Sequence, residues 1–343
     1  MKKVTPLAAL SAGIWGVCLI LLLCLFGIGR YHGPAAGAAA PKSTLENQTA
    51  EIDSAQEASV PELTLLGDTD MTVTAGYEFT DPGCTAKDAA DGDLTSKVTV
   101  DGTVDPRFPG DYTLTYQVTN SAGKTASASR TVQIEAPEKV VYLTFDDGPS
   151  EHTQQLLDVL DKYHVNATFF CVNVFSQYQD MIAKEAAAGN SVGIHSYTHD
   201  YNKIYASTEA YFEDLDKEQA VIKKQTGKET KLIRFPGGSS NTISAFNPGI
   251  MTTLTQLVQE RGYQYFDWNV ASGDAGDTTE TDVVVQNVID GLKEHNTSVV
   301  LMHDSLGYSV DGVEQILKWG LENGYTFLPL CYDSPAAHHP VNN

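Results

Sequence analysis

The pattern of apolar and polar positions first singles out a long apolar run close to the N-terminus. Residues 7–28, "LAALSAGIWGVCLILLLCLFGI", carry no charge and follow Lys2 and Lys3. The run is long enough to span a bilayer as a helix, and it exceeds the roughly 7–15 apolar residues of a signal peptide. We therefore predict an uncleaved membrane anchor at 1–31, with the remaining chain outside the cytoplasm. Small residues at 35–41, "AAGAAAP", keep cleavage and secretion open as the alternative.

Two further stretches precede the largest domain. Residues 32–60 are rich in Ala, Ser, Glu, Gln and Pro, which cannot build a core, so we predict a flexible linker. Residues 61–136 contain alternating runs such as "YTLTYQV" between turns such as "FPGD", which predicts a small all-β sandwich. The stretch resembles the Ig-like domains of bacterial surface proteins and shows no catalytic group, which favours a spacer or wall-contact module. Asp88, Asp91 and Asp93 admit a calcium site, although a polar turn is the commoner role.

From residue 137 to 335, apolar runs of strand length alternate with amphipathic segments of helix length. The predicted strands are 140–145, 167–172, 191–195, 232–235, 263–270, 298–302 and 325–330. The predicted helices between them are 153–163, 179–188, 207–226, 249–261, 280–294 and 312–323. This alternation predicts a parallel sheet, and seven repeats predict a distorted (β/α)7-type barrel. In such barrels the chemistry gathers at the carboxyl ends of the strands.

The net charge and the cysteine spacing argue against two classes of function. The formal net charge of −22 excludes nucleic acid as the expected partner, because phosphate binding needs clustered Lys and Arg. None of the five cysteines forms a CxxC pair, which argues against a thiolate zinc site. A Cys171–Cys331 disulfide stays open, but small buried hydrophobic residues are the more common role of such scattered cysteines.

Ionisable residues lie at or just beyond the ends of five of the seven predicted strands. They are Asp146 and Asp147 in "TFDDGPS", His195 and His199 in "HSYTHD", Arg234 in "RFPGGSS", Asp274 in "VASGD" and His303 in "LMHDS". One histidine at a strand end is usually solvated or packed, but five strands that each deliver such a group to one rim indicate a site. Adjacent carboxylates repel each other, and a nearby cation offsets that repulsion.

The spacing of the histidines predicts a metal centre. His195 and His199 lie four residues apart, and on a helical turn they would face one way and bind one ion. Asp147 completes a set of two imidazoles and one carboxylate, which leaves a coordination position for water, as hydrolytic zinc sites require. The alternative is a pair of surface histidines that bind nothing. Asp146 is then the candidate general base for that water.

Three further residues have candidate roles in proton transfer. His303 lies across the rim and can protonate the leaving group as a general acid. Asp274 would hydrogen-bond this imidazole and raise its pKa, and Arg234 would orient Asp146 and keep it ionised. The alternatives are a loop-capping role for Asp274 and a surface salt bridge for Arg234.

These motifs, in this order, resemble those of the polysaccharide deacetylases of carbohydrate esterase family four, the NodB-like domain. The resemblance covers about 139–330 and rests on "TFDDGP", "HSYTH", "RFPGG", "SGD" and "LMH". It implies a distorted (β/α) barrel and hydrolysis of the acetamide of an N-acetylated sugar, with release of acetate. It also implies one divalent ion, usually Zn²⁺ and sometimes Co²⁺ or another ion, held by Asp147, His195 and His199.

The resemblance also implies roles for individual side chains. Asp146 is the base supported by Arg234, and His303 is the acid tuned by Asp274. Leu301 lines the pocket for the acetyl methyl group. The backbone N–H of Gly237 would form the oxyanion hole.

The chain departs from the family at two aromatic positions. Gly237 stands where many members have Tyr, and Ala275 stands where many have Trp, so the sugar platform is more open and the substrate preference less defined. An anchored, outward-facing enzyme is expected to act on the wall, and we predict an N-acetylglucosamine or N-acetylmuramic acid deacetylase of peptidoglycan. The alternatives are chitin, an exopolysaccharide or O-acetyl xylan as substrate, and an inactive wall-binding protein. The last is disfavoured because every catalytic position is filled.

Overall fold

The computed structural model describes residues 59–343. The predicted anchor at 1–31 and residues 32–58 of the predicted linker lie outside the described residues. Within 59–343, none of the helices combines the length and the apolar character needed to cross a bilayer. All described residues belong to one compact unit.

Residues 62–135 form a β-sandwich, as the alternating pattern predicts. Its strands are β1 (Glu62–Leu65), β2 (Asp70–Thr74), β3 (Cys84–Asp88), β4 (Gly92–Asp93), β5 (Thr99–Asp101), β6 (Gly110–Thr119) and β7 (Thr125–Glu135). One sheet has the order β1-β3-β4 and the other the order β2-β7-β6-β5. Ala86 of β3 and Val118 of β6 are buried in one cluster with Leu94, so the two sheets enclose a small core of their own.

The acidic turns of the sandwich bind backbone groups. Asp88 Oδ1 accepts two N–H groups of its own turn, at 2.9 and 3.0 Å. Asp91 accepts the N–H and the hydroxyl of Ser121, and Asp93 accepts the N–H of Thr95. These carboxylates therefore cap turns, which is the commoner of the two roles considered for them.

Residues 140–327 form a parallel sheet of eight strands. They are β8 (Val140–Asp146), β9 (Thr168–Val172), β10 (Ser191–Ser196), β11 (Leu232–Ile233), β12 (Gln264–Tyr265), β13 (Val270–Ala271), β14 (Thr297–His303) and β15 (Thr326–Phe327). The order is β12-β11-β10-β9-β8-β14-β13, with β15 paired to the start of β8. The (β/α) architecture is confirmed, but the predicted barrel is only partial. Within 140–327 no ladder joins the edge strands β12 and β13.

The open side lies where the sequence predicts a single strand at 263–270. The chain forms β12 at one edge of the sheet, leaves the sheet, and forms β13 at the opposite edge. Arg234 explains the break, because its side chain donates to the carbonyls of Phe266 (Nε, 2.9 Å) and Asp267 (Nη2, 3.0 Å). These carbonyls are directed at the buried guanidinium and belong to no strand ladder within 140–327. Residues 266–269 therefore connect the edge strands β12 and β13 covalently, without strand pairing between the two edges.

Eight α-helices lie within residues 153–322. They are α1 (Thr153–Lys162), α2 (Met181–Ala187), α3 (Tyr201–Ile204), α4 (Thr208–Thr226), α5 (Ile250–Glu260), α6 (Thr281–Glu294), α7 (Gly307–Val310) and α8 (Val313–Glu322). The six longer helices agree with the predicted ones to within two residues at each end. Apolar faces, such as Leu156 and Leu160 of α1, are buried in the main core of this domain. The Ser207 side chain accepts the N–H of Ala210 at 3.1 Å and caps α4.

The sandwich packs against the amino ends of the parallel strands. Ile134 of β7 is buried in one cluster with Val140 and Tyr142 of β8. Gly76 approaches β15 so closely that a Cβ on it would lie 2.6 Å from Thr326 Cγ2. The sandwich therefore covers the amino end of the sheet, while the functional groups lie at its carboxyl end.

The cysteines of residues 59–343 are free thiols. Cys171 is buried in β9, and Cys84 and Cys331 are half-buried. No disulfide joins Cys171 to Cys331. Cys171 is thus a small buried residue, as expected for a scattered cysteine, whereas Cys84 and Cys331 differ from that expectation because they remain partly exposed.

Candidate active site

The ionisable groups predicted at the strand ends converge at the carboxyl edge of the parallel sheet. Asp146 ends β8 and His303 ends β14, and the two residues are paired in register in neighbouring strands. His195 lies one residue before the end of β10, and Arg234 directly follows β11. Asp274 lies in the loop that follows β13. The structure therefore brings these five residues to one rim.

The turn after β8 carries both aspartates and is braced from behind. Asp147 takes a left-handed conformation, φ 67°, which is strained for a residue with a side chain and persists only where the surroundings hold it. A Cβ on Gly148 would lie 2.5 Å from Asp304 Oδ1, so only glycine fits there. The Ser150 hydroxyl donates to Asp304 O at 2.9 Å, and the Asp304 N–H donates to Asp146 O at 3.2 Å. Asp304 thereby fixes the turn.

His195 and His199 do not share a helical turn, contrary to the reasoning from their spacing. His195 lies in β10, whereas His199 lies in the following loop with φ 51°. Asp214 of α4 shapes this loop, because its carboxylate accepts the N–H groups of Tyr197 (2.7 Å) and Thr198 (3.0 Å). The two imidazole centroids are 5.1 Å apart. A strand end and a braced loop therefore build the pair.

Asp147, His195 and His199 form a group that could hold one metal ion. One ligand atom of each lies within 4.8 Å of the others. Asp147 Oδ1 is 3.3 Å from His199 Nε2 and 3.6 Å from His195 Nε2. This buried oxygen has no hydrogen-bond partner among residues 59–343. An unsatisfied carboxylate oxygen that faces two imidazole nitrogens fits a divalent cation.

His195 is held in the form that binds metals. Its Nδ1 lies 2.8 Å from Arg234 O, and because a carbonyl only accepts, Nδ1 must carry the proton. The lone pair is then on Nε2, the nitrogen nearest to Asp147. Burial lowers the pKa of His195 more than the charges of Asp146 and Asp147 raise it, which favours the neutral imidazole.

Arg234 is fully buried and fixes Asp146. Its Nη1 donates to Asp146 Oδ1 at 2.9 Å and to Thr144 Oγ1 at 2.5 Å. The guanidinium also lies over the Phe170 ring, 4.4 Å from its centroid. The other carboxylate oxygen, Asp146 Oδ2, is 3.8 Å from His195 Nε2. Asp146 is therefore held on one side and faces the metal-ligand group with the other.

His303 and Asp274 form a buried pair. Asp274 Oδ1 accepts His303 Nδ1 at 2.9 Å, and its Oδ2 accepts the His303 N–H at 2.8 Å and the Ser309 hydroxyl at 2.5 Å. Burial lowers the pKa of His303, but the hydrogen bond and charge of Asp274 raise it more, to about 9. Burial raises the pKa of Asp274, yet its bonds to His303 and Ser309 bring it below the ordinary value. At neutral pH the pair is an imidazolium beside a carboxylate.

Gly237 lies near the histidine loop, and Leu301 lies on the same strand as His303. Gly237 has φ 76°, and within 59–343 its N–H donates to no acceptor. A Cβ there would lie 3.6 Å from Tyr201 Cε1, and the Tyr201 ring packs edge-on against His199 with centroids 5.1 Å apart. Leu301 precedes His303 by two residues on β14, so both side chains project from one face, and Leu301 is partly exposed.

A small cleft opens beside the metal-ligand group. Asp147 and His199 line one part of it, and Val172, Val174, Phe175 and Ser305 line the rest. Val174 is 52% exposed and Phe175 is 37% exposed, so the cleft has an apolar wall next to a polar floor. Such a combination suits a ligand with one apolar face and a polar reacting group.

Two family models match this chain, one over each of its two domains. The family model for polysaccharide deacetylases matches residues 133–264, and that for the Ig-like domain of bacterial surface proteins matches 63–134. The chain is 35% identical over 209 residues to the peptidoglycan-N-acetylglucosamine deacetylase of Bacillus cereus, a match that covers 60% of this chain and 72% of that protein. The chain belongs to the polysaccharide deacetylase family.

Solved structures of deacetylases agree with this assignment. The catalytic domain of a peptidoglycan N-acetylglucosamine deacetylase from Eubacterium rectale is 58% identical, with a TM-score of 0.59, over 60% of this chain and 94% of that chain. A polysaccharide deacetylase from Bacillus cereus is 35% identical, with a TM-score of 0.51, over 60% of this chain and 96% of that chain. Both resemblances inferred from the motifs, to the deacetylases and to the Ig-like domains, are confirmed.

Several residues around the deacetylase site were not predicted from the sequence. Asp214 braces the histidine loop from a helix, and Asp304 braces the aspartate turn from the next strand end. Tyr201 stands beside His199. The only available signal was position, since Asp304 directly follows the "LMH" motif and Tyr201 directly follows "HSYTHD". Asp214 lies within a helix whose pattern gives no sign of a loop contact.

Proposed function

We propose that this protein is a metal-dependent deacetylase that hydrolyses N-acetyl groups of a cell-surface polysaccharide and releases acetate. The observation that carries the proposal is the division of the aspartate pair. Asp146 is bound by Arg234, whereas Asp147 turns an unsatisfied oxygen toward the two histidines. One carboxylate is thus available for a proton and the other for a cation.

Asp146 is suited to accept the proton of an attacking water. Its Oδ1 is occupied by Arg234, and its Oδ2 faces the metal-ligand group. A charge-assisted bond to a buried guanidinium fixes the direction of this carboxylate. The base therefore meets the reacting water in one orientation, which is what proton transfer in a transition state requires.

His303 is suited to give a proton to the departing amine. Because its pKa is about 9, it is protonated at neutral pH. Asp274 occupies Nδ1, which leaves the Nε2 proton for the leaving group. The acid and the base lie on the paired ends of β14 and β8, so they approach the scissile bond from neighbouring strands.

Asp147, His195 and His199 would hold the cation, for which Zn²⁺ is the first candidate and Co²⁺ another. A divalent cation there supplies Lewis acidity, which favours ionisation of water and polarises a carbonyl oxygen. The unused N–H of Gly237 is suited to bind the oxyanion that develops on the acetyl group. Leu301, on the same face as His303, is suited to contact the acetyl methyl.

Peptidoglycan is the substrate that we propose, with N-acetylglucosamine before N-acetylmuramic acid as the sugar. The relatives from Bacillus cereus and Eubacterium rectale are both named peptidoglycan N-acetylglucosamine deacetylases. A membrane anchor at 1–31 would keep the enzyme beside the wall, and cleavage of that segment would release it. The loss of two aromatic positions, at Gly237 and Ala275, leaves room for a branched glycan.

Purified peptidoglycan tests the proposal directly. The protein, loaded with Zn²⁺ and separately with Co²⁺, is incubated with the wall, and released acetate is measured. Mass spectrometry of the digested fragments then shows which sugar has lost its acetyl group. The Asp146→Asn variant serves as the matched control. If neither acetate nor new amino sugars appear with either ion, peptidoglycan is not the substrate.

A second candidate substrate is O-acetyl xylan. The chain is 34% identical over 197 residues to a protein of Pseudobutyrivibrio xylanivorans named bifunctional xylanase/deacetylase, although it covers only 30% of that protein. Parallel assays on acetyl xylan, on chitin oligomers and on peptidoglycan decide among these glycans. Absence of acetate from all three would favour the inactive wall-binding alternative, which the complete set of ionisable residues argues against.

A further inference from the structure

Tyr205 reaches from one active-site loop to another. It follows α3, in the loop region that also carries His199, and its side chain is fully buried. Its hydroxyl donates to Pro236 O at 2.7 Å. Pro236 precedes Gly237, whose N–H is the candidate oxyanion donor. The bond therefore links the histidine loop to the peptide that carries this donor.

The peptide between Pro236 and Gly237 lies at the centre of a tight turn. The Gly238 N–H donates to Phe235 O at 2.7 Å, and Gly237 at the third position has φ 76°. Proline at the second position and a left-handed glycine at the third are the signature of a type II turn. Types I and II differ chiefly in the direction of the central peptide, and glycine tolerates either sign of φ. A contact from outside the turn therefore helps to fix the direction of the Pro236–Gly237 peptide.

The Tyr205 hydroxyl supplies such a constraint. A trans peptide is planar, so its C=O and N–H point in opposite directions, and the Pro236–Gly237 peptide is trans. Binding of Pro236 O to Tyr205 thus directs the Gly237 N–H away from Tyr205. That N–H donates to no acceptor within 59–343.

Tyr205 is itself well fixed. Its ring lies between those of Tyr201 and Tyr211, with both centroid distances 6.3 Å, and its own carbonyl accepts the Asn247 side chain at 3.0 Å. A tyrosine held in a stack and at its backbone makes a rigid anchor. The side chain of Asp267 fixes the far end of the turn, because it accepts the N–H of Ser239 at 2.8 Å.

We propose that Tyr205 is a positioning residue of the deacetylase reaction. Its hydroxyl holds the Pro236–Gly237 peptide in the orientation in which the Gly237 N–H can donate to the oxyanion. This inference rests on the proposed function, which gives that N–H its role. A donor that acts in the transition state affects kcat, whereas a substrate contact made equally in the ground state affects KM.

The Tyr205→Phe variant removes the hydroxyl and keeps the ring. The matched control is Tyr325→Phe, because the Tyr325 hydroxyl also makes a 2.7 Å bond to a backbone carbonyl, that of Leu292, away from the site. Loss of a whole oxyanion donor costs about 10²–10³ in kcat, so a misdirected donor is expected to cost about tenfold with KM unchanged to within about twofold. Tyr325→Phe should leave both constants at the wild-type values. Equal kcat in the two variants would overturn the inference.

A second measurement reads the peptide itself and does not depend on turnover. Labelling with ¹³C-carbonyl proline and ¹⁵N glycine selects only Pro–Gly peptides in an NMR correlation spectrum. The chain contains four of them, namely Pro82–Gly83, Pro109–Gly110, Pro236–Gly237 and Pro248–Gly249. In the Zn²⁺-loaded protein, Tyr205→Phe should shift one of the four signals and Tyr325→Phe none. An unchanged spectrum for Tyr205→Phe would show that the hydroxyl does not orient this peptide.

The two measurements separate this inference from the proposed function. If the wild-type protein releases no acetate from any glycan, the proposed function fails, and with it the role of Tyr205 in that reaction. The NMR signal still reports whether Tyr205 orients the peptide. If acetate is released and the signal moves while kcat stays at the wild-type value, Tyr205 anchors the loop without positioning the donor, and the inference is wrong.

Discussion

At the scale of single residues, the site separates two carboxylates that are neighbours in sequence. Asp146 ends a buried strand and is 3% exposed, so its charge is balanced by Arg234. Asp147 follows with φ 67°, and this reversal turns its side chain toward the two histidines. The same motif thus places one acid under the control of a guanidinium and the other beside two metal-binding nitrogens.

Asparagine substitutions should separate the two roles. Asp147→Asn removes a charged ligand, and we expect Zn²⁺ affinity to fall roughly 100-fold or more, because loss of groups that merely orient ligands already costs about 10–100-fold. Asp146→Asn should retain the ion and lower kcat by a factor on the order of 10²–10⁴, the usual contribution of a general base. Isothermal titration with Zn²⁺ and acetate release measure the two effects. Wild-type turnover by Asp146→Asn would remove it as the base.

The pH dependence of the reaction should depend on Asp274. A general acid works when protonated, so activity is lost as the pH rises through the pKa of His303, which is about 9. Asp274→Asn removes the charge that raises this pKa, and the alkaline limb of kcat/KM should move to lower pH. A profile of kcat/KM from pH 5 to pH 10 for both proteins provides the measurement. An alkaline limb that does not move would mean that another group is the acid.

At the scale of secondary-structure elements, helices α2 and α4 each bury an acidic side chain that has no role in the proposed reaction. Glu185 of α2 and Glu218 of α4 are both 0% exposed. Glu185 Oε1 and both carboxylate oxygens of Glu218 have no hydrogen-bond partner within 59–343. Burial, followed by the charge of Asp214, raises the pKa of Glu218 to about 8, and burial raises that of Glu185 well above its ordinary value. Both helices therefore carry groups that the fold prefers to keep protonated.

The contribution of Glu218 to stability should consequently fall as the pH rises. The folded pKa of Glu218, about 8, lies above its ordinary value of 4.5, so the folded state binds the extra proton between these two values. Its contribution is present below about pH 4.5 and is lost as the pH rises toward 8. We expect Glu218→Gln to reduce the decline in unfolding free energy between pH 5 and pH 8 by roughly 3 kcal/mol.

Urea unfolding at both pH values measures this effect, and the exposed Glu213 on the same helix supplies the control. Its carboxylate forms a surface pair with Lys217, at 2.8 Å. Glu213→Gln should leave the pH dependence unchanged to within a few tenths of a kcal/mol, because exposed ion pairs contribute little. If Glu218→Gln declines as steeply as Glu213→Gln, the buried carboxyl is not the group responsible.

Sequence reasoning correctly predicted the placement of the ionisable residues that lie at the ends of regular strands. Parallel strands bring their carboxyl ends to one edge, so Asp146, His195 and His303 could be assigned to one site from the strand pattern alone. It failed where side chains override local pattern. The apolar stretch 263–270 is predicted as one strand. In the structure the carbonyls in the middle of this stretch accept hydrogen bonds from Arg234, and the stretch forms two short strands. The hydroxyl of Tyr205 had no local signal, because its acceptor lies in another loop.

At the scale of the whole described chain, the Ig-like domain is part of the hydrophobic architecture of the deacetylase domain. The cluster around Ile134, Val140 and Tyr142 draws residues from both. At the amino edge of the sheet, where the chain passes from one domain to the other, the Thr326 N–H donates to Lys139 O. A module predicted as a spacer thus shields the end of the sheet that lies opposite the site.

Replacement of a buried side chain at this interface by alanine should lower the stability of the deacetylase domain. Ile134→Ala removes buried apolar volume from the shared cluster, and we expect the unfolding free energy to fall by about 2–4 kcal/mol. In a protein that begins at residue 59, the two tryptophans, Trp268 and Trp319, both lie in the deacetylase domain, so their fluorescence reports its unfolding. Val118→Ala, in the separate core of the sandwich, is the control and should change this transition less. An unchanged tryptophan transition for Ile134→Ala would mean that the domains unfold independently.

The close approach of Gly148 to the Asp304 carboxylate also limits how the two positions can diverge in evolution. A side chain at position 148 has room only after residue 304 has become small, whereas a smaller residue at 304 would create no clash with Gly148. A substitution at position 304 must therefore precede a substitution at position 148. In a library that varies both codons, functional clones with a larger residue at 148 should carry glycine or alanine at 304, while clones that keep Gly148 should carry a wider range there.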